Sequence, residues 1–90
     1  MDTVAECVAE LRALTSHIVA MNDEWAKKGF TMASDTRLNL AKAGKLIVKL
    51  EGVDEGGKAA GALIAEAQAL AGVLRAEAGD RMPLNQAETQ

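Results

Sequence analysis

The side chains that most often perform chemistry in proteins are scarce in this chain. It has one histidine, His17, and one cysteine, Cys7, ten positions apart. On a single helix that separation is ~15 Å along the axis, too far for a thiol and an imidazole to act as nucleophile and base. One imidazole and one thiol are also too few ligands for a zinc site. We therefore expect a surface histidine, a buried structural cysteine and no bound metal.

A glycine-rich segment, residues 52–59, differs by one residue from the phosphate-binding pattern Gly-x-x-x-x-Gly-Lys-Ser/Thr. Ala59 stands where Ser or Thr would help to hold Mg²⁺, and Asp54 and Glu55 would repel a phosphate. Glu51 adds a third carboxylate, but the spacing is not that of an EF-hand loop. The segment is therefore predicted to be a turn between helices. Since no nucleophile or acid–base pair stands elsewhere, we expect no enzymatic activity, cofactor or small-molecule substrate.

Three lysines, Lys42, Lys45 and Lys49, are spaced so that they lie on one side of a helix predicted over 34–51, with Arg37 nearby. A basic stripe of this kind can meet the phosphates of a nucleic acid or an acidic protein surface. The isoelectric point is about 5.0, and the aromatic residues that stack on bases number two. Nucleic acid is therefore the less favoured partner, and another protein is the expected one.

Charge divides along the chain into three blocks. The net charge is −4 over residues 1–24, +5 over residues 25–50 and −4 over residues 51–90. An antiparallel bundle places the basic middle helix between two acidic ones. The opposite charges are therefore predicted to pair along the seams between helices, where each exposed pair contributes little to stability.

The clearest pattern in the chain is a heptad repeat. Apolar residues recur at alternating spacings of three and four, at Val4, Cys7, Leu11, Leu14, Ile18, Met21 and Trp25. This pattern predicts a first helix over about 3–28. Thr3 and Glu6 have the spacing of a capping box at its start, and Gly29 suits the left-handed residue that ends a helix. In such an ending the next residue, Phe30, packs against the tryptophan.

Two further helices are predicted over about 34–51 and 56–78, each followed by a glycine. The fold class is therefore all-α: an antiparallel three-helix bundle with a long heptad-patterned first helix. Residues 1–79 form its single domain, and residues 80–90 are a short polar tail. The predicted core residues are Leu11, Leu14, Ile18, Leu40, Ile47, Leu63, Leu70 and Leu74.

Two surfaces of the predicted bundle favour self-association. The face of the third helix opposite its apolar stripe consists of small residues, including Gly61, Ala65, Ala69, Gly72 and Ala76. A helix that is small or apolar on both sides is typical of one buried on both sides. The first helix is the longest, so Val4, Cys7 and Val8 at its start are expected to lack cover within one chain. We predict a homodimer or a larger oligomer.

We expect no signal peptide and no membrane-spanning segment. The start of the chain lacks the basic and apolar regions of a signal peptide, and no apolar run approaches the ~20 residues that span a membrane. A single cysteine excludes an internal disulfide, which fits the cytoplasm. The expected function is non-catalytic protein binding by a small cytoplasmic helical adaptor, regulator or inhibitor. The alternatives are a nucleic-acid-binding regulator that uses the basic face of the second helix, and a structural coiled-coil subunit.

Overall fold

Within the part of the chain that the structure describes there are three α-helices, as the apolar periodicity predicts. The computed structural model describes residues 2–81, with side chains for residues 2–79. The helices are α1 (Val4–Ala26), α2 (Ser34–Glu51) and α3 (Lys58–Ala76), and α3 continues into a π-helical turn, Glu77–Arg81. All three pack against one another in pairs, which confirms an all-α three-helix bundle. Nearly all of the predicted polar tail, 80–90, lies outside the described residues.

The connections between the helices set their directions. Residues 27–33 and 52–57 join them, and chain segments of this length reach at most ~25 Å. Each helix packs against the one before it, and α2 and α3 are ~27 Å and ~28 Å long, so neither connection is long enough for the next helix to run parallel to the preceding one. Consecutive helices are therefore antiparallel, and the start of α1 lies beside the end of α2 and the start of α3.

Both ends of α1 have the predicted caps. The Thr3 side chain accepts a hydrogen bond from the Glu6 backbone N–H, and the Glu6 carboxylate accepts one from the Thr3 backbone N–H. At the other end Gly29 is left-handed, with φ 91°, and the Phe30 N–H donates to the Trp25 carbonyl at 3.1 Å. The Trp25 and Phe30 rings meet edge to face with their centroids 5.0 Å apart, so the predicted aromatic contact is confirmed.

The bounds of α2 match the predicted 34–51, whereas α3 begins later than the predicted 56–78. Gly56 is left-handed, with φ 83°, and Gly57 has an extended backbone, so the first helical residue is Lys58. Gly56 and Gly57 therefore end the α2–α3 connection, and α3 starts directly after them. At its other end α3 continues into the π-helical turn.

The centre of the bundle is built from alanine as much as from leucine. Leu11, Ile18 and Leu74 are fully buried, as predicted, and Leu46 and Leu50 join them in the core. The other predicted core residues are half-buried, namely Leu14, Leu40, Ile47, Leu63 and Leu70. The buried alanines of α2 and α3 are Ala43, Ala60, Ala67 and Ala71. Because a methyl group lets helices approach closely, several larger side chains lie at the flanks of the contacts.

The start of α1 is covered within one chain, contrary to the prediction from helix lengths. Val4 is 8% exposed and Cys7 is fully buried, whereas Val8 is half-buried. α1 is the longest helix, as expected, but the turn between α2 and α3 folds over its first residues. The Val4 backbone N–H donates to the Glu55 carboxylate, and Val53 packs against the core. The prediction that Val4 and Cys7 lack cover is therefore wrong.

Candidate functional site

A groove runs between α2 and α3. Its main part has a volume of about 450 Å³ and is lined by Asn39, Lys42, Lys45, Leu46 and Lys49 of α2 and by Glu66, Ala69, Leu70 and Val73 of α3. A depression of about 360 Å³ continues it, lined by Asp35, Leu38, Asn39, Lys42, Val73 and Glu77. We call the two together the α2–α3 groove. Its basic members, the groove lysines, are Lys42, Lys45 and Lys49.

The groove lysines are exposed, and within residues 2–79 they form no ion pair. The ion pairs between helices use other bases. Arg12 of α1 pairs with Glu51 of α2, and Arg75 of α3 pairs with Glu10 of α1 at 2.9 Å. The prediction that the bases of α2 pair with the acids of α1 and α3 is therefore wrong for the groove lysines. Three positive charges remain along one wall of the groove.

The floor of the groove is apolar and partly open to solvent. Leu46 is 6% exposed and Leu70 is half-buried, so these two side chains close the bottom. Val73 is 44% exposed and Leu38 is 60% exposed. The small Ala69 leaves room on the α3 side. An apolar centre with a charged rim is the usual anatomy of a protein-binding site.

A polar contact that the sequence reasoning missed closes one end of the groove. Glu77 is 3% exposed, and each oxygen of its carboxylate accepts a hydrogen bond from the Asn39 Nδ2 at 3.3 Å. Glu77 lies three residues after the buried Leu74 and so occupies the next position of the apolar stripe of α3. That spacing is the sequence signal that could have predicted a buried Glu77. The contact ties the start of α2 to the end of α3.

Arg37 does not belong to the groove, although it was predicted beside the lysines. Its guanidinium donates a hydrogen bond to the Met32 carbonyl at 3.4 Å. It lines a separate depression with Asn22 and Ala26 of α1. The structure thus brings the three lysines of the predicted basic stripe together with Ala69 of the predicted small-residue face. It leaves Arg37 on the α1 side of α2.

α3 presents a second surface next to the groove. We call Gly61, Ala65, Ala69, Gly72 and Ala76 the α3 outer face, and all five are exposed. A Cβ atom built on Gly61 or on Gly72 meets no atom within 4 Å. Glycine at these positions is therefore not required for packing within the chain. Ala69 belongs to both surfaces, because it lies where the outer face meets the groove.

The composition of α3 bears on the expectation that the chain binds no membrane. By length and composition alone, the segment Lys58–Gly79 is apolar enough to cross one, with a mean hydropathy of 1.2 over 18 residues. In the bundle 22% of that window is buried. One helix of this composition does not establish a membrane span, and the absence of membrane binding stays a prediction.

A further depression of about 570 Å³ lies beside the start of α1, where Val8 is half-buried. Its charged groups already have partners. Arg12 pairs with Glu51, and the Glu55 carboxylate accepts hydrogen bonds from the Val4 backbone. The α2–α3 groove is the stronger candidate site because its lysines lack such partners among the described residues.

The groups considered for chemistry stand apart from one another. Residues 2–79 contain no group of three or more His, Cys, Asp or Glu side chains placed to hold a metal ion. Burial raises the pKa of the Cys7 thiol, which keeps it protonated and poorly nucleophilic. His17 is exposed on α1, as predicted.

The α2–α3 groove and the α3 outer face are thus the candidate functional surfaces within residues 2–79. Comparison of the chain with protein-family models, with curated proteins and with solved structures gives no match.

Proposed function

We propose that this protein is a non-catalytic protein-binding module, an adaptor, regulator or inhibitor, whose binding site is the α2–α3 groove. The observation that carries the proposal is the set of three groove lysines, which form no ion pair within residues 2–79 and stand beside an apolar floor. Charges at the rim of an interface steer association and choose the partner, while buried apolar contacts supply affinity. The groove offers both, to a partner with an acidic surface.

The carboxylates of the same groove favour a protein over a nucleic acid. Glu66 lines its main part, and Asp35 and Glu77 line its continuation. A phosphate backbone is charged at every step and would meet these carboxylates as well as the lysines, whereas a protein can place its acids against the lysines alone. The formal net charge of −3 opposes nucleic-acid binding in the same way.

The heptad repeat of α1 weighs against the structural coiled-coil alternative. Val4, Cys7, Leu11 and Ile18 of that repeat are buried in the bundle of a single chain. A coiled coil with a second chain would need the same side chains at its own seam. We therefore rank this alternative below protein binding through the groove.

We also propose self-association of the chain through the α3 outer face. The supporting observation is that the five small residues of this face are all exposed, on a helix that is apolar in composition. Cytoplasmic localisation remains part of the proposal, since a reducing compartment suits one buried, unpaired thiol.

Site-specific photo-crosslinking in the native host tests the proposed function. A photoreactive residue replaces Val73 in the groove, and a control probe replaces the exposed Ala13 of α1. The Val73 probe should give a discrete protein adduct that the Ala13 probe does not give. The adduct should disappear when the three groove lysines are changed to glutamate and persist in Lys58→Glu, a charge reversal outside the groove.

The same experiment can reject the proposal. An adduct that survives reversal of the groove lysines, a nucleic-acid adduct, or the absence of any Val73-specific product would each contradict protein binding at this site. Circular dichroism of each variant shows whether the bundle is intact. We expect it to be, because exposed substitutions usually change stability by about 0.5 kcal/mol or less.

A further inference from the structure

We infer that the ligand of the α2–α3 groove is an amphipathic α-helix of about three turns, with carboxylates along one flank and apolar side chains on its inward face. This inference rests on the proposed function and names the class of partner. The charge, the spacing and the backbone chemistry of the groove walls define this ligand.

The walls of the groove select a helix over an extended peptide. The walls are the helices α2 and α3. Within each helix, the interior backbone N–H and C=O groups are already hydrogen-bonded to one another. An extended peptide needs a sheet edge to satisfy its own backbone, and residues 2–79 contain no strand that offers one. A helical ligand satisfies its backbone internally. It therefore enters a groove of this kind without leaving buried polar groups unpaired.

The groove lysines set the pattern of acidic residues on the ligand. Lys42, Lys45 and Lys49 are separated by three and four residues, which places them ~4.5 Å and ~6 Å apart along the α2 axis. A second helix lying alongside α2 repeats its own side chains at the same rise. Asp or Glu at positions i, i+3 or i+4, and i+7 of the ligand would therefore face all three lysines.

The length and the apolar face of the ligand follow from the floor. From Leu38, the first apolar residue of its α2 wall, to Lys49 the groove covers a rise of eleven residues or ~16 Å, which is about three helical turns. Leu46, Leu70 and Val73 supply apolar contacts along this length. An acidic flank next to an apolar face is therefore the complement of the groove.

Charge along the groove also gives the ligand a direction. Asp35 and Glu77 lie at one end, and Lys45 and Lys49 lie toward the other, where Glu66 offsets part of the positive charge. The N-terminus of a helix is partly positive and its C-terminus partly negative. The ligand helix should therefore place its N-terminus at the Asp35 end and run parallel to α2.

Selection from a helical library tests this inference on the whole chain. Fourteen-residue helical peptides with randomised surfaces are selected on the wild type and counter-selected on the triple variant Lys42→Glu/Lys45→Glu/Lys49→Glu. Enriched peptides should carry acids at the stated spacing beside Leu, Ile or Val. Their affinity should fall about tenfold or more in the triple variant, fall with added salt, and stay within about twofold in Lys58→Glu.

NMR locates and orients the bound peptides. Amide signals of Leu46, Ala69 and Val73 should shift, and a spin label at the peptide N-terminus should broaden Leu38 more than Lys49. Broadening of Lys49 instead would overturn the assigned direction. Enriched peptides that bind the groove without acidic residues, or that bind elsewhere, would overturn the inference that the ligand is an acidic helix. In that case a lysine-dependent adduct of the Val73 probe would still support the proposed function. A lysine-independent or missing adduct would instead reject the proposed function itself, and equal lysine-dependent binding by duplex DNA would overturn the inference.

Discussion

The backbone N–H of Val4, in the first turn of α1, donates hydrogen bonds to both carboxylate oxygens of Glu55, at 2.9 Å and 2.8 Å. Glu55 lies in the turn between α2 and α3, 51 residues away along the chain. A negative charge at a helix N-terminus also interacts favourably with the helix dipole. The contact holds the turn over the start of α1 and accounts for the cover that Val4 and Cys7 receive.

We expect Glu55→Ala to destabilise the bundle by about 1 kcal/mol, since it removes a charged acceptor from a helix N-terminus. Urea titration followed by circular dichroism measures the loss. Asp54→Ala is the matched control. Asp54 is exposed in the same turn, but the Val4 N–H donates to Glu55 and not to Asp54. Equal effects of the two substitutions would contradict a specific role for Glu55.

The capping box predicts a pH dependence of stability. Hydrogen bonds from the backbone N–H groups of Asp2 and Thr3 lower the pKa of Glu6 below its ordinary value of 4.5. Between the two values the unfolded chain binds more protons than the folded one, so stability rises with pH. The contribution is complete above about pH 4.5 and is lost as pH falls through the lowered folded pKa.

Comparison with Glu6→Gln measures this contribution. The wild type should be the more stable at pH 7, and the difference in the free energy of unfolding should shrink toward pH 3. Glu66→Gln serves as control, since Glu66 lies inside α3 and away from a helix N-terminus. A difference for Glu6→Gln that stays constant from pH 7 to pH 3 would show that its ionisation is not linked to folding.

Burial ranks the cost of emptying core positions. Leu11→Ala and Leu74→Ala should each cost about 2–5 kcal/mol, because both side chains are fully buried. Leu14→Ala and Leu70→Ala should cost less, since these side chains are half-buried. Urea titration of the four variants gives the ranking. If Leu14→Ala proved the most costly, the rotation of α1 in the bundle would differ from the one described.

Two glycine substitutions should change stability in opposite directions. Gly29 has φ 91°, so Gly29→Ala should destabilise the end of α1 by about 1 kcal/mol. Gly44 lies in the exposed interior of α2, where a Cβ atom meets nothing within 4 Å. Gly44→Ala should therefore stabilise by about 0.5–1 kcal/mol. Thermal unfolding decides the signs, and a shift of the same sign in both variants would contradict the local geometry.

Sedimentation at several concentrations measures the proposed self-association. The wild type should form a dimer or larger species at micromolar concentration, and Ala65→Glu on the α3 outer face should return it to a single species near 9.4 kDa. Ala13→Glu on the exposed side of α1 should leave the assembly unchanged. A wild-type monomer throughout would rule out the proposed interface, and vesicle binding lost in Ala65→Glu would assign the face to a membrane instead.

The local features of this protein could be predicted from its sequence. The heptad spacing placed α1, the Thr3–Glu6 pair placed its first cap, and Gly29 placed its end beside the Trp25–Phe30 contact. These features depend on residues within a few positions of each other, so helix periodicity and backbone preferences determine them without knowledge of the rest of the chain.

Rotation and register were decided by the tertiary structure. Which of Leu11 and Leu14 is fully buried depends on how α1 turns about its axis against two neighbours, and buried alanines set how closely those neighbours approach. The bond between Val4 and Glu55 depends on where the α2–α3 turn falls along α1. The groove lysines lie beside Ala69 for the same reason, because a surface shared by two helices exists only after their packing fixes both angles.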